Sequence, residues 1–456
     1  MTQAEQLAAF VVRATYEDLS EEARQELKLR VLDALGCAIG ALKGPTIKML
    51  EAQLEDFGGN PLATLIGGGK TAPDRAAFYN AALVRYLDFN DSYLAKNETC
   101  HPSDNLGAVL AASEYAGKNG KDFLTALAVA YQVQCRLSDI APVRAKGFDH
   151  TTQGAYAVAA GVAKALGLGL KKTAHAIAIS GTANNALRVT RTGRLSNWKG
   201  LAYPHTVFAA TSDTFLAMRG ITGPLEVFEG TKGFMDAIAG HFEIDWQGEN
   251  LEIVTRTNIK KYNAEFHAQS VLEGILELRE AYHLRADEIE RIEIEIFDVA
   301  YNIIGGGEEG NKHHVQTKEE ADHSLPYMVA VALLDGEVMP RQYTPKRIER
   351  HDVQTLLRKV EVRPNNDLSE LFPEALPCRI QVFLKDGRTF SIEKEDYEGF
   401  YTQPISWAKA TEKFEHLAKP FTDEELRGGV VEAVAHLETL EVQQLTELLT
   451  YVRKGE

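Results

Sequence analysis

Between Tyr86 and Gly107 the chain reads YLDFNDSYLAKNETCHPSDNLG, a segment in which Asp88, Asp91, Ser92 and His101 bring together groups that move protons. A helical run entering from Asp74 predicts Asp88, Asp91 and Ser92 on one helix face, because residues three and four apart are neighbours there. Carboxylates in the last turn of a helix meet the negative end of its macrodipole, at a cost of about 0.3–1 kcal/mol each. The same field disfavours ionisation and moves a carboxyl toward the range useful for proton transfer. Further on, His101 stands ahead of Pro102-Ser103-Asp104, which opens the next apolar-periodic run with helix-start residues. Asp104 reads as a cap of that helix. An acid pair at one helix end is thereby expected to face, across a short loop, a histidine at the positive end of another. Local rules broken without visible compensation are a mark of functional sites.

A second histidine repeats the setting. His150 follows Lys146-Gly147-Phe148-Asp149 and precedes the helix opening Thr151-Thr152. A helix start lowers imidazole basicity and offers free N–H groups to an anion. Downstream, GTANNALRVTRTG holds Arg188 and Arg191, which either fork carboxylates or act as surface cations suited to a helix C-terminus. Lys199 is framed by Trp198 and Gly200 just before an apolar helix, the setting of a lysine buried for a purpose. Tyr262–His267 and Asp322–Tyr327 place polar groups at helix starts, where capping and a site role are both open. Tyr301, just after a strand, is a candidate phenol donor.

These residues need a scaffold, and the pattern predicts a mainly helical one. Residues 4–268 read almost entirely as helices, with Gly36, Gly40, Gly154 and Gly161 inside alanine-rich runs, where close helix packing is the expected reason. Near Glu288 the period changes. Ile292, Ile294 and Ile296 alternate with glutamates as in a half-buried strand, and Val360 and Val362 repeat the alternation. The runs 379–384 and 388–394 flank Lys385-Asp386-Gly387, a hairpin turn. Helical pattern returns from about Ser406. The expectation is a large all-helical domain over 1–268 plus 401–456, with a smaller α+β lid domain inserted at 269–400.

Composition narrows the function. The 456 residues are 45% hydrophobic and 25% charged, ordinary for a soluble globular protein. No apolar stretch is long enough to span a bilayer, and the N-terminus lacks the pattern of a secretion signal, so a cytoplasmic location is expected. Cys37, Cys100, Cys135 and Cys378 show no paired spacing and read as free thiols. A net charge of −16 argues against nucleic acid and anionic membranes as partners, and requires any anion site to concentrate cations locally. Gly67-Gly68-Gly69-Lys70-Thr71 imitates a phosphate loop but lacks its earlier glycine and runs into Pro73. No spacing of metal ligands is present, so no metal is expected.

Together these segments resemble the MmgE/PrpD family, whose members include 2-methylcitrate dehydratase, cis-aconitate decarboxylase and iminodisuccinate epimerase. The similarity rests on DALGCAIGA at 33–41, LDFNDS, HPSDNLG, the 146–152 segment, WKG at 198–200, GPLEVFEG at 223–230, AEFHAQS at 264–270 and DHSLPY at 322–327. It implies a helical domain with a smaller lid domain, a homodimer, and catalysis without metal or organic cofactor. Its active-site positions carry over to Asp88, Ser92, His101, His150, Lys199 and Tyr301; Ser92 replaces a common threonine, and WKG replaces the KPLH form of many relatives. Ser103, Arg188, Arg191 and His267 join Ser92 as candidates for binding a tricarboxylate. The uninterrupted HPSDN block, WKG and AEFHAQS look most like the dehydratase branch, so elimination of water from 2-methylcitrate is the expected activity. Decarboxylation of cis-aconitate, an epimerisation, or mere polycarboxylate binding on the same fold are the alternatives.

Overall fold

A computed structural model describes residues 1–193 and 195–452. The chain divides into two compact units, Met1–Thr190 with Gly200–Ile259 and Ser406–Glu456, and Arg191–Lys199 with Lys260–Ile405. The second unit therefore takes in 260–268 and a short strip around Lys199, beyond the 269–400 segment expected from pattern alone. Among the described residues no helix is long and apolar enough to cross a membrane.

The first unit is built on the helices Glu21–Gly40, Pro73–Tyr86, Leu106–Tyr115, Gly120–Ile140, Thr151–Ala165 and Leu170–Ala183. Thr151–Ala165 is central. It packs against Gly120–Ile140 on one side and Leu170–Ala183 on another, and every residue in it except Lys164 is buried. Only an alanine- and glycine-rich helix, apolar around its whole circumference, tolerates that position. The chain leaves this unit and returns to it at Ser406. Helix Trp407–Ala418 then lies so close to Glu21–Gly40 that a β-carbon at Gly36 would stand 3.2 Å from Phe414 Cα. Lys413 pins the contact, its Nζ reaching Asp33 Oδ1 at 2.6 Å and donating to the Phe89 carbonyl at 2.8 Å.

The first unit is not purely helical, and the exceptions matter. A two-residue hairpin pairs β1 (Ala63–Thr64) with β2 (Lys70–Thr71). A second pairs β3 (Tyr93–Ala95) with β4 (Glu98–Cys100), and Ser92 bridges Asn258 just outside it. This second hairpin occupies the stretch expected to be a plain loop.

In the second unit β5 (Ile289–Ile296) lies between β6 (Val360–Pro364), parallel to it, and β7 (Cys378–Leu384), antiparallel; β8 (Thr389–Lys394) forms the far edge. Ile292, Ile294 and Ile296 are buried as their alternation predicts, while the intervening glutamates are half-exposed. Gly387, at φ +89°, makes the β7–β8 turn. Helix Gln269–Tyr282 covers β7 and β8, with Tyr282 stacked on Phe390 at 4.2 Å. The mainly helical fold with a smaller α+β part is as the pattern predicts.

Candidate active site

Helix Pro73–Tyr86 stops before the first carboxylate. Leu87 is its C-cap, and Asp88 takes a left-handed backbone at φ +55°, a conformation that costs a non-glycine residue about 1–2 kcal/mol. Asp88, Asp91 and Ser92 therefore do not share a helix face. The left-handed residue ends the helix, and the backbone exchange of Ser92 with Asn258 draws the next segment into a strand. Strain of this kind persists only where surrounding contacts over-determine it.

Those contacts are a buried polar network. Arg85 Nη1 donates to Asp88 Oδ1 at 2.6 Å, and its Nε stands 3.7 Å from Asp104 Oδ2. Asn90 Nδ2 donates to Asp104 Oδ1 and to Ser103 Oγ, both at 2.9 Å. Asp91 Oδ1 accepts from Ser103 N and Oγ, and its Oδ2 accepts from Tyr131 at 2.7 Å. Burial pushes the Asp91 carboxyl up, and these donors pull against it. Asp104 is thus a buried acceptor in the network and not the helix cap expected of it, because Asn90 and Arg85 compete for its oxygens more effectively than the adjacent amides. Ser103, expected to touch a ligand, spends its hydroxyl on Asp91.

The β3–β4 hairpin sets the histidine. By pairing Tyr93 with Cys100 it returns the chain so that Ser92 and His101 become neighbours. His101 Nδ1 lies 2.8 Å from the Asp91 carbonyl oxygen and 3.0 Å from Ser92 Oγ. A carbonyl can only accept, so Nδ1 carries the proton, and Nε2 is the basic nitrogen of the neutral ring. The His101 ring meets the edge of His150 at 5.8 Å, and His150 stacks on Tyr203 at 5.7 Å. His150 is the N-cap residue of Thr151–Ala165, as its position in the chain predicts. Both histidines are buried. Tyr203 Oη stands 3.0 Å from Asn105 Oδ1 and from Gln134 Oε1, which fixes the ring beneath His150.

Gly154 makes room for that ring: a β-carbon there would lie 2.5 Å from Tyr203. Gly154→Ala is expected to destabilise the fold by about 1–3 kcal/mol through overpacking and to lower turnover as Tyr203 is pushed into His150. A urea titration alongside initial rates checks both.

Arg188 opens a one-turn 3-10 helix ending at Arg191. Its Nη1 stands 4.0 Å from buried Asp149 Oδ2, and it faces buried Glu98, whose carboxyl is pushed up by burial and pulled down by this guanidinium. Arg188 thus answers carboxylates of the protein itself. Arg191 is half-buried at the end of the same turn.

In the second unit Lys199 is buried in the first turn of helix Trp198–Met218. Its Nζ lies 3.1 Å from Asp322 Oδ1 and 2.9 Å from His323 Nδ1, while Lys318 Nζ donates to Asp322 Oδ2 at 2.8 Å. Burial alone would push the Asp322 carboxyl up, but Lys199, Lys318 and His323 outweigh it and hold it well below the usual range. Ser324, not Asp322, caps helix Leu325–Asp335 by accepting from Tyr327 N at 3.1 Å. Lys312, whose ammonium is disfavoured by burial, adds a further cation to this neighbourhood. Arg85, Lys312, Lys318 and Tyr203 stand outside the motifs visible in the sequence; the Arg85–Asp88 and Lys318–Asp322 spacings of three and four residues are the only sequence signals for two of them.

His267 and Tyr301 also lie in the second unit. His267 Nδ1 meets Glu265 Oε1 at 2.7 Å, with the ring against Phe297 and Phe372. Burial opposes ionisation of Glu265, yet His267, His323 and Lys260 bring its carboxyl down to about 2 from an ordinary 4.5. A depressed carboxyl contributes stability that is present above pH 4.5 and lost as pH falls toward 2. Glu265→Gln is therefore expected to cost on the order of 3 kcal/mol at neutral pH and to flatten the acid limb of the stability profile, measured by denaturation from pH 2 to 7. Tyr301 opens the π-helical turn Tyr301–Gly305, its ring filling the space left by the missing β-carbons of Gly305 and Gly307.

Comparison with known proteins fits this arrangement to a family. The chain matches the MmgE/PrpD N-terminal domain over residues 5–247 and the MmgE/PrpD C-terminal domain over residues 262–438. It is 29% identical over 396 residues to the mitochondrial 2-methylcitrate dehydratase of Yarrowia lipolytica, an alignment covering 82% of this chain and 75% of the relative. It is 27% identical to the 2-methylcitrate dehydratase of Escherichia coli strain K12 over 76% of this chain and 74% of the relative. The cis-aconitate decarboxylase of Mus musculus is also 27% identical, over 92% of this chain and 88% of the relative. With both domains matched across most of its length, this chain belongs to the MmgE/PrpD family.

Proposed function

We propose that this protein is a lyase that removes water from 2-methylcitrate, or a closely related tricarboxylate, to give the corresponding enoate by acid–base catalysis. Elimination requires a base for the hydrogen on the carbon alpha to a carboxylate, an acid for the departing hydroxide, and cations for the carboxylate whose charge rises on the way. The C–H proton passes to the base, its electron pair forms the C=C bond, and the C–O pair leaves with a proton as water. The observation that carries this reading is His101, buried, with Nδ1 committed to the Asp91 carbonyl and its ring edge-on to His150. A histidine so fixed exchanges a proton through Nε2 without having to reorient.

We assign the proton exchange to His101, with His150 the second imidazole. Ser92 hydrogen-bonds the substrate, and Asp88 orients or shares a proton with it. Lys199 binds a substrate carboxylate, a charge-assisted contact worth roughly 1.5–3 kcal/mol, and Tyr301 is the phenol donor. The dehydratase relatives support the reaction class, and the decarboxylase relative keeps a second reading, loss of CO2 from cis-aconitate, since both reactions pass through a carbanion-like species beside a carboxylate.

Purified protein incubated with 2-methylcitrate, citrate and cis-aconitate tests the assignment, following enoate absorbance and released CO2. Absorbance rising with 2-methylcitrate supports dehydration. Gas from cis-aconitate, with 2-methylcitrate inert, replaces it with decarboxylation. Inertness toward all of them overturns both.

A further inference from the structure

Two helices of the second unit, Gln269–Tyr282 and Leu325–Asp335, end beside the short helix His351–Leu356 and the β7–β8 turn. Together they wall a cavity of about 580 Å³. Its floor is apolar: Leu284, Leu333 and Leu356 are buried, and Leu334 is half-buried. Its edge is cationic, and most of that charge has a local explanation. Arg279 Nε donates to the Leu333 carbonyl at 2.8 Å, answering the negative end of helix Leu325–Asp335. Arg285 is held by Asp287 at 3.2 Å and by Glu288 at 3.9 Å. Asp352 is taken by Arg347 at 3.2 Å and by Arg350 at 2.8 Å. His351 Nε2 rests 3.4 Å from Thr355 Oγ1.

Two lysines are left over. Lys359 Nζ gives one proton to the Ile289 carbonyl at 2.6 Å, which leaves two of its three. Lys385 is exposed in the β7–β8 turn, and among the described residues no carboxylate pairs with either ammonium. Asp287 feels the Lys385 charge, but its bonds to Arg285 come first. Burial disfavours the Lys359 ammonium, and the charge of Lys385 disfavours it further. Two like charges on one cavity repel. A chain with 65 acidic against 49 basic residues leaves them without a counter-ion of its own.

We propose that this cavity binds an aliphatic carboxylate of short to medium chain, its tail on the leucine floor and its carboxylate between Lys359 and Lys385. The site shares no residue with those assigned to the reaction and requires nothing of that reaction. Its volume falls within the usual range of small-molecule sites, about 300–1,000 Å³. The two parts of the lining select the ligand class. An inorganic anion would leave the leucines wet, and a neutral alcohol would leave the lysines facing each other. A tricarboxylate would press charge onto apolar side chains. One carboxylate on one apolar tail satisfies both parts.

Octanoate titrated into the full chain by calorimetry tests this, beside 1-octanol, acetate and the shorter alkanoates. Octanoate is expected to bind one to one, and each methylene removed to weaken it by about 2- to 4-fold. Octanol, which lacks the charge, is expected to bind about 10-fold more weakly, as is octanoate to the double variant Lys359→Gln with Lys385→Gln, the combined worth of two partly exposed ion pairs. Lys385→Gln alone, at an exposed turn position, keeps the question answerable if the double variant does not fold; about 3-fold weakening is expected there. An amine-acylating reagent followed by mass spectrometry locates the site: octanoate is expected to slow modification of Lys359 and Lys385 and not of other lysines. Equal octanoate affinity in the unmodified protein and Lys385→Gln, octanol bound as tightly as octanoate, or no binding at all each overturns the site. None of these readouts depends on turnover, so the dehydratase reading stands or falls separately.

Discussion

Replacing His101 with alanine is expected to lower kcat for the tricarboxylate substrate by about 10²- to 10⁴-fold, the usual contribution of a positioned acid or base. The expectation follows from the ring's bonding. Its Nδ1 sits 2.8 Å from the Asp91 carbonyl, which can only accept, so the backbone sets the tautomer. The variant removes the imidazole without touching the Asp91–Ser103–Tyr131 bonds, which hold the loop by side chains other than His101. Stability should therefore change far less than rate. KM should move little compared with kcat, because carboxylate recognition is assigned to Lys199. Steady-state kinetics beside a thermal melt of the same sample decides it. Near-normal turnover in a folded variant would remove His101 from the mechanism.

Arg85→Met is expected to produce the largest loss of stability. Arg85 is 3% exposed and stands between Asp88 and Asp104, themselves buried. Deleting one partner of a buried ion pair leaves charge without its counter-ion, which costs about 3–5 kcal/mol. Methionine fills similar volume, so the loss comes from electrostatics and not from a cavity. It carries a signature in pH: the deficit should narrow as pH falls into the carboxylate range near 4, because protonation relieves the stranded charges. Urea denaturation at pH 7 and pH 4.5 separates the two contributions. Equal deficits at both values would mean that packing of the guanidinium stem, not its charge, is what the fold uses. Activity should fall as well, since Asp88 holds its left-handed backbone through this pair.

Much of this was legible in the chain. Ile292, Ile294 and Ile296 announced their strand because a period of two survives any arrangement of neighbours, and Lys385-Asp386-Gly387 announced its turn because only glycine takes φ +89° without strain. His150 stands at a helix start because that signal is local. The errors share a cause too. Local rules make Asp104 a cap, yet it lies buried under Asn90 and Arg85, contacts that no local rule contains. Helical spacing predicts a helix face and a loop after Asp88, yet the stretch is a hairpin, because Ser92 finds its backbone partner at Asn258.

The sequence by itself determined which residues carry chemistry, where the helical and strand periods change, and that any anion site had to gather cations against a charge of −16. Tertiary structure alone decided what each group does with its protons. Asp91 became an anchor because Ser103 and Tyr131 fill its oxygens, and His101 became a fixed tautomer because a carbonyl stands at its Nδ1. Asp322 became the counter-ion of Lys199, a residue far away in the chain. Composition and period are summed along the chain and survive in the sequence; a proton's position depends on a few tenths of an ångström between groups that only folding brings together.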